Sequence, residues 1–398
     1  MGQGLQSTLL PVRASLEHFS TLAIGAMGAA YFLGFTAGCL KGPELVRNVG
    51  HVRVFLAMTA LASVAPLIHG LFVMQPTWML LRLMTGFCFA VIYVVIESWL
   101  NDQATNENRG FLFSTYSLIT LTVLAAGQLM TLIYDPSGMQ LFAICAVLVS
   151  IAALPIALSR APSPEPPHSA AINLRRLFRL SPTGIVGCLA TGLVNGSFWA
   201  LAPVFTQGAS SDVSLAAWFM AAAVIGGAAT QWPIGIGSDK VGRRPMLFGV
   251  AIVAVAACAA LAMIAPGASF GTIVILAAFW GGMGFPLYSI AVAYANDFAD
   301  PKEYVNVSAG LLLMYGVGAS VGPLIASTVM ELTNVSGLYF FSGGVYSVLL
   351  GVAAIRASVS RGVARKEQVE FRTALAAAQT ASQVYEDEVA QEQESEFS

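Results

Sequence analysis

Residues 235 to 245, GIGSDKVGRRP, set Gly235, Asp239, Gly242, Arg243 and Arg244 in a G-x-x-x-D-x-x-G-R-R pattern between two long apolar stretches. Glycines let two helix ends approach closely, and the aspartate can face the positive end of a neighbouring helix or pair with the arginines. The chemistry of such a set is a reversible latch between helices. A loop that only carried positive charge would need lysine and arginine but no fixed glycine and aspartate spacing.

Two more charges lie inside apolar stretches, where ionisable side chains are costly and mark pathways. Arg82 stands alone there. It can hold an anionic solute or influence a protonating acid, or it can tie its helix to the first one through backbone carbonyls. Glu97 lies near the end of its stretch, within plausible reach of Arg47, Arg53 and Arg109. A gate salt bridge is its first reading and a coupling proton its second, because desolvation that raises a carboxyl pKa serves either role. Tyr93, Asn195, Trp199, Trp280, Tyr288 and Tyr294 supply rings and polar tips suited to an amphipathic organic ligand. Each taken singly also fits packing or anchoring at the lipid interface.

Other chemistries find no carrier. There is no G-x-x-x-x-G-K-[ST] phosphate loop and no H-E-x-x-H metal motif. His18, His51, His69 and His168 are dispersed, and Cys39, Cys88, Cys145, Cys188 and Cys258 lack C-x-x-C spacing. The sequence therefore calls for no enzyme activity, no cofactor and no metal.

The elements that must position these residues follow from composition. With 57% apolar and 10% charged residues and a mean hydropathy of +0.74, the chain reads as a polytopic membrane protein. Its 398 residues leave room for about a dozen spans of ~20 residues and no sizeable soluble domain. A net charge of -2 with no gathered basic patch excludes nucleic acid as a partner. Apolar runs cover about 19–40, 52–74, 77–99, 111–134, 139–159, 183–206, 213–234, 245–265, 271–295, 307–330 and 337–356. The segment before them, MGQGLQSTLLPVRASLEHF, has an apolar part of only about a dozen residues, half of what a crossing needs. The reading frame is accordingly expected to extend upstream by about ten to twenty codons.

Alternate loops collect every one of the 19 lysines and arginines except Arg13 and Arg82, so that side is expected to be cytoplasmic and to carry the C-terminus. The opposite loops hold Glu17, Asp135, Asp212 and Glu331. A proline-rich, basic stretch at 159–182 reads as a linker between halves of similar length. Sliding the chain by 195 residues matches Gly86 to Gly281, Tyr93 to Tyr288, Asn101 to Asn296, Asp102 to Asp297 and Gly127 to Gly322. An offset of 192 brings Gly50 under Gly242. The halves read as a duplication.

The 235–244 pattern resembles the loop signature of the major facilitator superfamily. RLMTGFCFA, with Arg82 and Gly86, is similar to that family's fourth-helix motif, and GASVGP, with Gly318, Gly322 and Pro323, to its eleventh-helix packing motif. YVVIESWLND and NENRG resemble the YcaD-type bacterial branch. The first-half counterpart, GCLKGPELVRNVGHVR, departs by placing Arg47 where the family has aspartate. The resemblance implies an all-α protein of two six-helix bundles with the first helix incomplete, about 11.5 spans in all. Its divisions would be a first half at 1–159, a linker at 160–182, a second half at 183–356 and a cytoplasmic tail at 357–398. It further implies that helices 4, 7 and 10 face a cavity in which a small solute is carried by alternating access. A proton is the expected coupling ion, and the expected setting is a monomer in the lipid bilayer of a bacterial inner membrane. The rival reading is a membrane sensor or scaffold that signals through the tail.

Overall fold

The computed structural model describes residues 1–105, 108–158, 174–210, 212–300 and 303–359; the linker at 160–173 and the tail from 360 lie outside them. Those residues form fifteen α-helices. The first-half helices are α1 (Gly2–Leu16), α2 (Thr21–Val49), α3 (His51–Leu71), α4 (Gln75–Asp102), α5 (Arg109–Leu129), α6 (Gln140–Ile151) and α7 (Ala153–Leu158). The short α8 (Leu174–Leu180) leads into the second half: α9 (Pro182–Ala209), α10 (Ser214–Val241), α11 (Arg243–Ile264), α12 (Phe270–Gly284), α13 (Pro286–Asn296), α14 (Tyr304–Leu332) and α15 (Gly337–Val359).

Eleven helical segments, some joining two of these elements, are long and apolar enough to cross a membrane, one for each apolar run of the sequence. The protein is a multi-pass membrane protein. α1 is the exception at 15 residues, about 22 Å at 1.5 Å per residue against a ~30 Å hydrocarbon core. Helix starts follow local chemistry. Ser20, Ser181 and Ser269 cap α2, α9 and α12 by accepting the backbone N–H of Ala23, Gly184 and Thr272.

Small residues set how closely the helices pack. A Cβ on Gly86 would stand 2.0 Å from the Tyr31 carbonyl oxygen, and one on Gly322 would stand 2.1 Å from that of Leu193, so α4 meets α2 and α14 meets α9 backbone to backbone. The two halves join chiefly where α2 crosses α14. Gly25 meets Pro323 and Ser327, Gly28 meets Ala200 and Pro323, and Thr36 meets Gly316. At the rim that bears the acidic loops, the Glu331 carboxylate accepts the Leu22 backbone N–H at 2.9 Å, so the end of α14 caps the start of α2.

The sequence predicts one continuous helix over 271–295, and the structure divides it into α12 and α13 at Phe285. Pro286 has no N–H to give to the Gly282 carbonyl. The Thr230 hydroxyl on α10 donates to that oxygen instead, at 2.6 Å. Thr230→Val should cost about 1–3 kcal/mol in unfolding experiments, the penalty of a buried carbonyl left without a donor. Thr230→Ser should restore most of it.

Candidate functional site

Four helices of the first half bring polar groups to one place. α4 carries Arg82, Tyr93 and Glu97 at spacings of eleven and four, which a 3.6-residue repeat puts on one face. The α1 amide of Gln3 ties two tyrosines together: its Nε2 donates to Tyr31 Oη at 2.9 Å, and the Tyr93 hydroxyl donates to its Oε1. The Arg82 guanidinium lies over the Tyr31 ring, 4.1 Å from the centroid, a cation–π contact. No carboxylate pairs with Arg82 among the described residues. Glu97 is half-buried, with Cys39 of α2, Tyr93 and Tyr116 of α5 within electrostatic reach. Arg47 is exposed at the end of α2, and the Arg109 side chain lies outside the described residues.

The second half faces this set with Asn195, Tyr288 and Tyr315. The Tyr288 and Tyr315 rings meet edge to face at 4.9 Å, Asn195 reaches the Tyr315 hydroxyl, and Tyr288 is within electrostatic reach of Cys39 across the seam. Three polar atoms here are buried without a protein partner: Thr36 Oγ1, Asn195 Oδ1 and Tyr288 Oη. They come from α2, α9 and α13, so both halves contribute. Unpaired buried hydroxyls and amides cost free energy that a polar ligand or water can recover.

The other ring candidates sit elsewhere. Trp280 is sealed in the second-half core, stacked on Phe198 at 4.6 Å, with its N–H on Cys258 Sγ at 3.3 Å. Trp199 stacks on Phe285, at the break between α12 and α13, with centroids 5.9 Å apart and planes 13° apart. Tyr294 is buried against Phe298. Sequence reasoning missed Gln3, Tyr31, Thr36, Tyr116 and Tyr315. Gln3 and Thr36 carried no pattern, whereas the tyrosines inside the apolar runs of α2, α5 and α14 were a signal that could have been followed.

At the opposite rim, Gly242 joins α10 directly to α11 with φ +106 and ψ 148, a region essentially reserved for glycine. Gly235 packs in the last turns of α10, where its carbonyl accepts the Ser238 hydroxyl. The turn presents Arg243 inward, its side chain 1% exposed, with Nη1 2.7 Å from Asp239 Oδ1 and Nε 3.8 Å from Asp297 Oδ2 at the end of α13. The Ser238 hydroxyl also receives a guanidinium N–H. Arg244 follows on the half-exposed face of α11. Gly50 forms the same one-residue turn between α2 and α3, with φ 96 and ψ 151.

Comparisons with known proteins fit this geometry. The family model of the Major Facilitator Superfamily matches residues 1–311 and 187–384. An uncharacterized MFS-type transporter of Enterobacter sp. (strain 638) is 30% identical over 329 residues, 82% of this chain and 84% of that protein. The uncharacterized MFS-type transporter YcaD of Escherichia coli O17:K52:H18 is 28% identical over 328 residues, with the same coverage. Among solved structures, one of the nucleoside transporter NupG superposes with a TM-score of 0.78 at 14% identity, covering 89% of this chain and 96% of that one. A bacterial homologue of the human lysosomal transporter Spinster, inward-facing and occupied, gives 0.69 at 14% identity over 92% and 96%. Those two share its fold. With the family model spanning both halves and relatives matching over four fifths of its length, this chain belongs to the major facilitator superfamily of membrane transporters, in its YcaD-type branch.

Proposed function

We propose that the protein is a secondary active transporter that carries a small neutral or anionic organic solute by alternating access, as a monomer, with proton coupling. The observation that carries this reading is that unpartnered polar atoms come from both halves, Thr36 of α2 with Asn195 and Tyr288 of α9 and α13, at the seam where α2 packs on the second half and the halves would rock. The tyrosine faces suit a planar or apolar portion of the solute, and the amides of Gln3 and Asn195 suit its hydrogen-bonding groups. Arg82, over the Tyr31 ring, supplies a cation near the seam and favours a solute with negative charge. The positive-inside rule orients the turns at Gly50 and Gly242, and the C-terminus, toward the cytoplasm. The close contacts at the acidic rim, including Glu331 on α2, then correspond to a state closed toward the outside.

A thermal-shift screen on the purified full-length protein tests the reading, because a ligand stabilises the state it binds in proportion to the logarithm of its concentration over Kd. Organic acids, sugars and nucleosides form the panel, and solutes that raise Tm go on to flux assays in proteoliposomes. Tyr288→Phe and Asn195→Ala should each weaken binding of the solute found by about tenfold, the worth of roughly one hydrogen bond of 1.4 kcal/mol. Binding without flux in any gradient would replace the transporter with a sensor.

A further inference from the structure

The first half carries a histidine where the second half carries its buried arginine. Gly50 and Gly242 hold the same backbone conformation, and each is followed at once by the residue that opens the next helix, His51 in one half and Arg243 in the other. Asp102 ends α4 as Asp297 ends α13. The remaining member is transposed, since Arg47 occupies the place of Asp239 four residues earlier.

The two copies are caught in different arrangements. In the second, the carboxylate of Asp297 is 2% exposed and turned in on Arg243. In the first, His51 is 1% exposed, its Nε2 is 3.0 Å from Ser98 Oγ, and its ring lies 5.9 Å from that of Trp99. Asp102 is exposed and accepts the side-chain N–H of Gln103 at 3.0 Å, within electrostatic reach of the imidazole but outside ion-pair contact.

We propose that His51 is a proton-binding site, and that a proton taken from the side bearing the Gly50 and Gly242 turns draws Asp102 inward onto the imidazolium, as Asp297 lies on Arg243. Histidine is the side chain whose charge changes between about pH 5 and 8, whereas arginine stays charged. The second-half latch therefore keeps its cation at every pH in this range, whereas the cation of the first-half one follows the proton. The charged groups around the ring are few. Among the described residues Asp102 of α4 is within electrostatic reach, Arg47 of α2 and Arg53 of α3 are exposed, and the Arg109 side chain of α5 lies outside them. Trp99, beside the ring, belongs to an apolar cluster with Val46, Phe55 and Val95.

Trp99 is a local reporter because an imidazolium beside an indole quenches its emission. The full-length protein in lipid nanodiscs is titrated from pH 8 to 5.5, and the difference between wild type and Trp99→Phe isolates this signal. The expected result is a sigmoidal quench that His51→Gln abolishes and whose midpoint Asp102→Asn lowers by roughly half a unit or more, through loss of a nearby opposite charge. Hydrogen exchange over 97–105, corrected for intrinsic rates, should slow several-fold at the acid end in wild type. It should be slow at both ends in His51→Arg, which copies the second half. A pH-independent difference signal, a midpoint that Asp102→Asn leaves in place, or exchange that ignores His51 would each overturn the proposal. None of these measurements needs a solute, so their failure is separable from failure of the transport reading.

Discussion

Asp297→Asn is expected to destabilise the protein by about 3 kcal/mol, at the low end of the range for breaking a buried ion pair from one side. The loss is large because Arg243 cannot follow its partner into water. Its side chain is 1% exposed, and the turn at Gly242 fixes where its helix begins. The cation also meets Asp239, at 2.7 Å but with a side chain 38% exposed, and the hydroxyl of Ser238, and neither replaces a buried carboxylate. The companion change Asp239→Asn should cost about 1 kcal/mol or less, since that carboxylate already faces solvent and its pairing is screened. Replacing both buried partners, Arg243→Met with Asp297→Leu, should recover most of the stability, because it removes the desolvation penalty together with the attraction. Denaturant or thermal unfolding in detergent ranks the three variants. A loss under 1 kcal/mol for Asp297→Asn, or one equal to that of Asp239→Asn, would show that Asp297 does not hold the arginine.

The same loop shows how far the sequence could be read. The spacing of Gly235, Asp239, Gly242 and Arg243 singled out a loop in which Asp239 and Arg243 are paired, and hydropathy found all eleven crossings, within three residues at each end except that α2 and α10 run nine and seven residues further. Asp297 had appeared only as a repeat match to Asp102, because what makes it Arg243's partner is the return of α13 to the start of α11, a long-range contact that no local spacing encodes. The divided helix at Phe285 was missed for a related reason. Pro286 signals a break, but the hydrophobic run continues through it, and only the distant Thr230 hydroxyl makes the interrupted geometry tolerable. The seam was half legible. Arg82, Tyr93, Asn195 and Tyr288 stood out as polar or aromatic groups in apolar surroundings, yet Trp280, chosen on the same ground, packs into the core because an indole N–H can be satisfied there by a cysteine sulfur. Gln3 could not be chosen from pattern at all. Its role comes from the place of α1 among α5, α6 and α9, from which the Gln3 amide reaches the hydroxyls of Tyr31 on α2 and Tyr93 on α4.

Glu97→Gln is expected to abolish gradient-driven accumulation of the solute in proteoliposomes while leaving counterflow exchange within about twofold of wild type. The carboxylate lies within electrostatic reach of Cys39, Tyr93 and Tyr116, next to the atoms proposed to meet the solute; of the arginines that sequence proximity offered as gate partners, Arg47 and Arg53 are exposed and the Arg109 side chain lies outside the described residues. A group so placed can hold a proton while the solute is bound and release it when the halves change their exposure, which links the two fluxes. Glutamine keeps the volume and hydrogen-bonding capacity of the site but cannot take up or release the proton. Net transport against a gradient then loses its drive. Exchange persists, because it needs both faces to open in turn but no net proton movement. The gate reading predicts a different outcome, since loss of a charge that holds one conformation shifts the balance between states and slows accumulation and exchange together. Dissipating the pH gradient supplies the remaining arm. Accumulation by the wild type should collapse, and the mutant, already uncoupled, should not respond. Accumulation that survives in Glu97→Gln would remove this carboxylate from the coupling path.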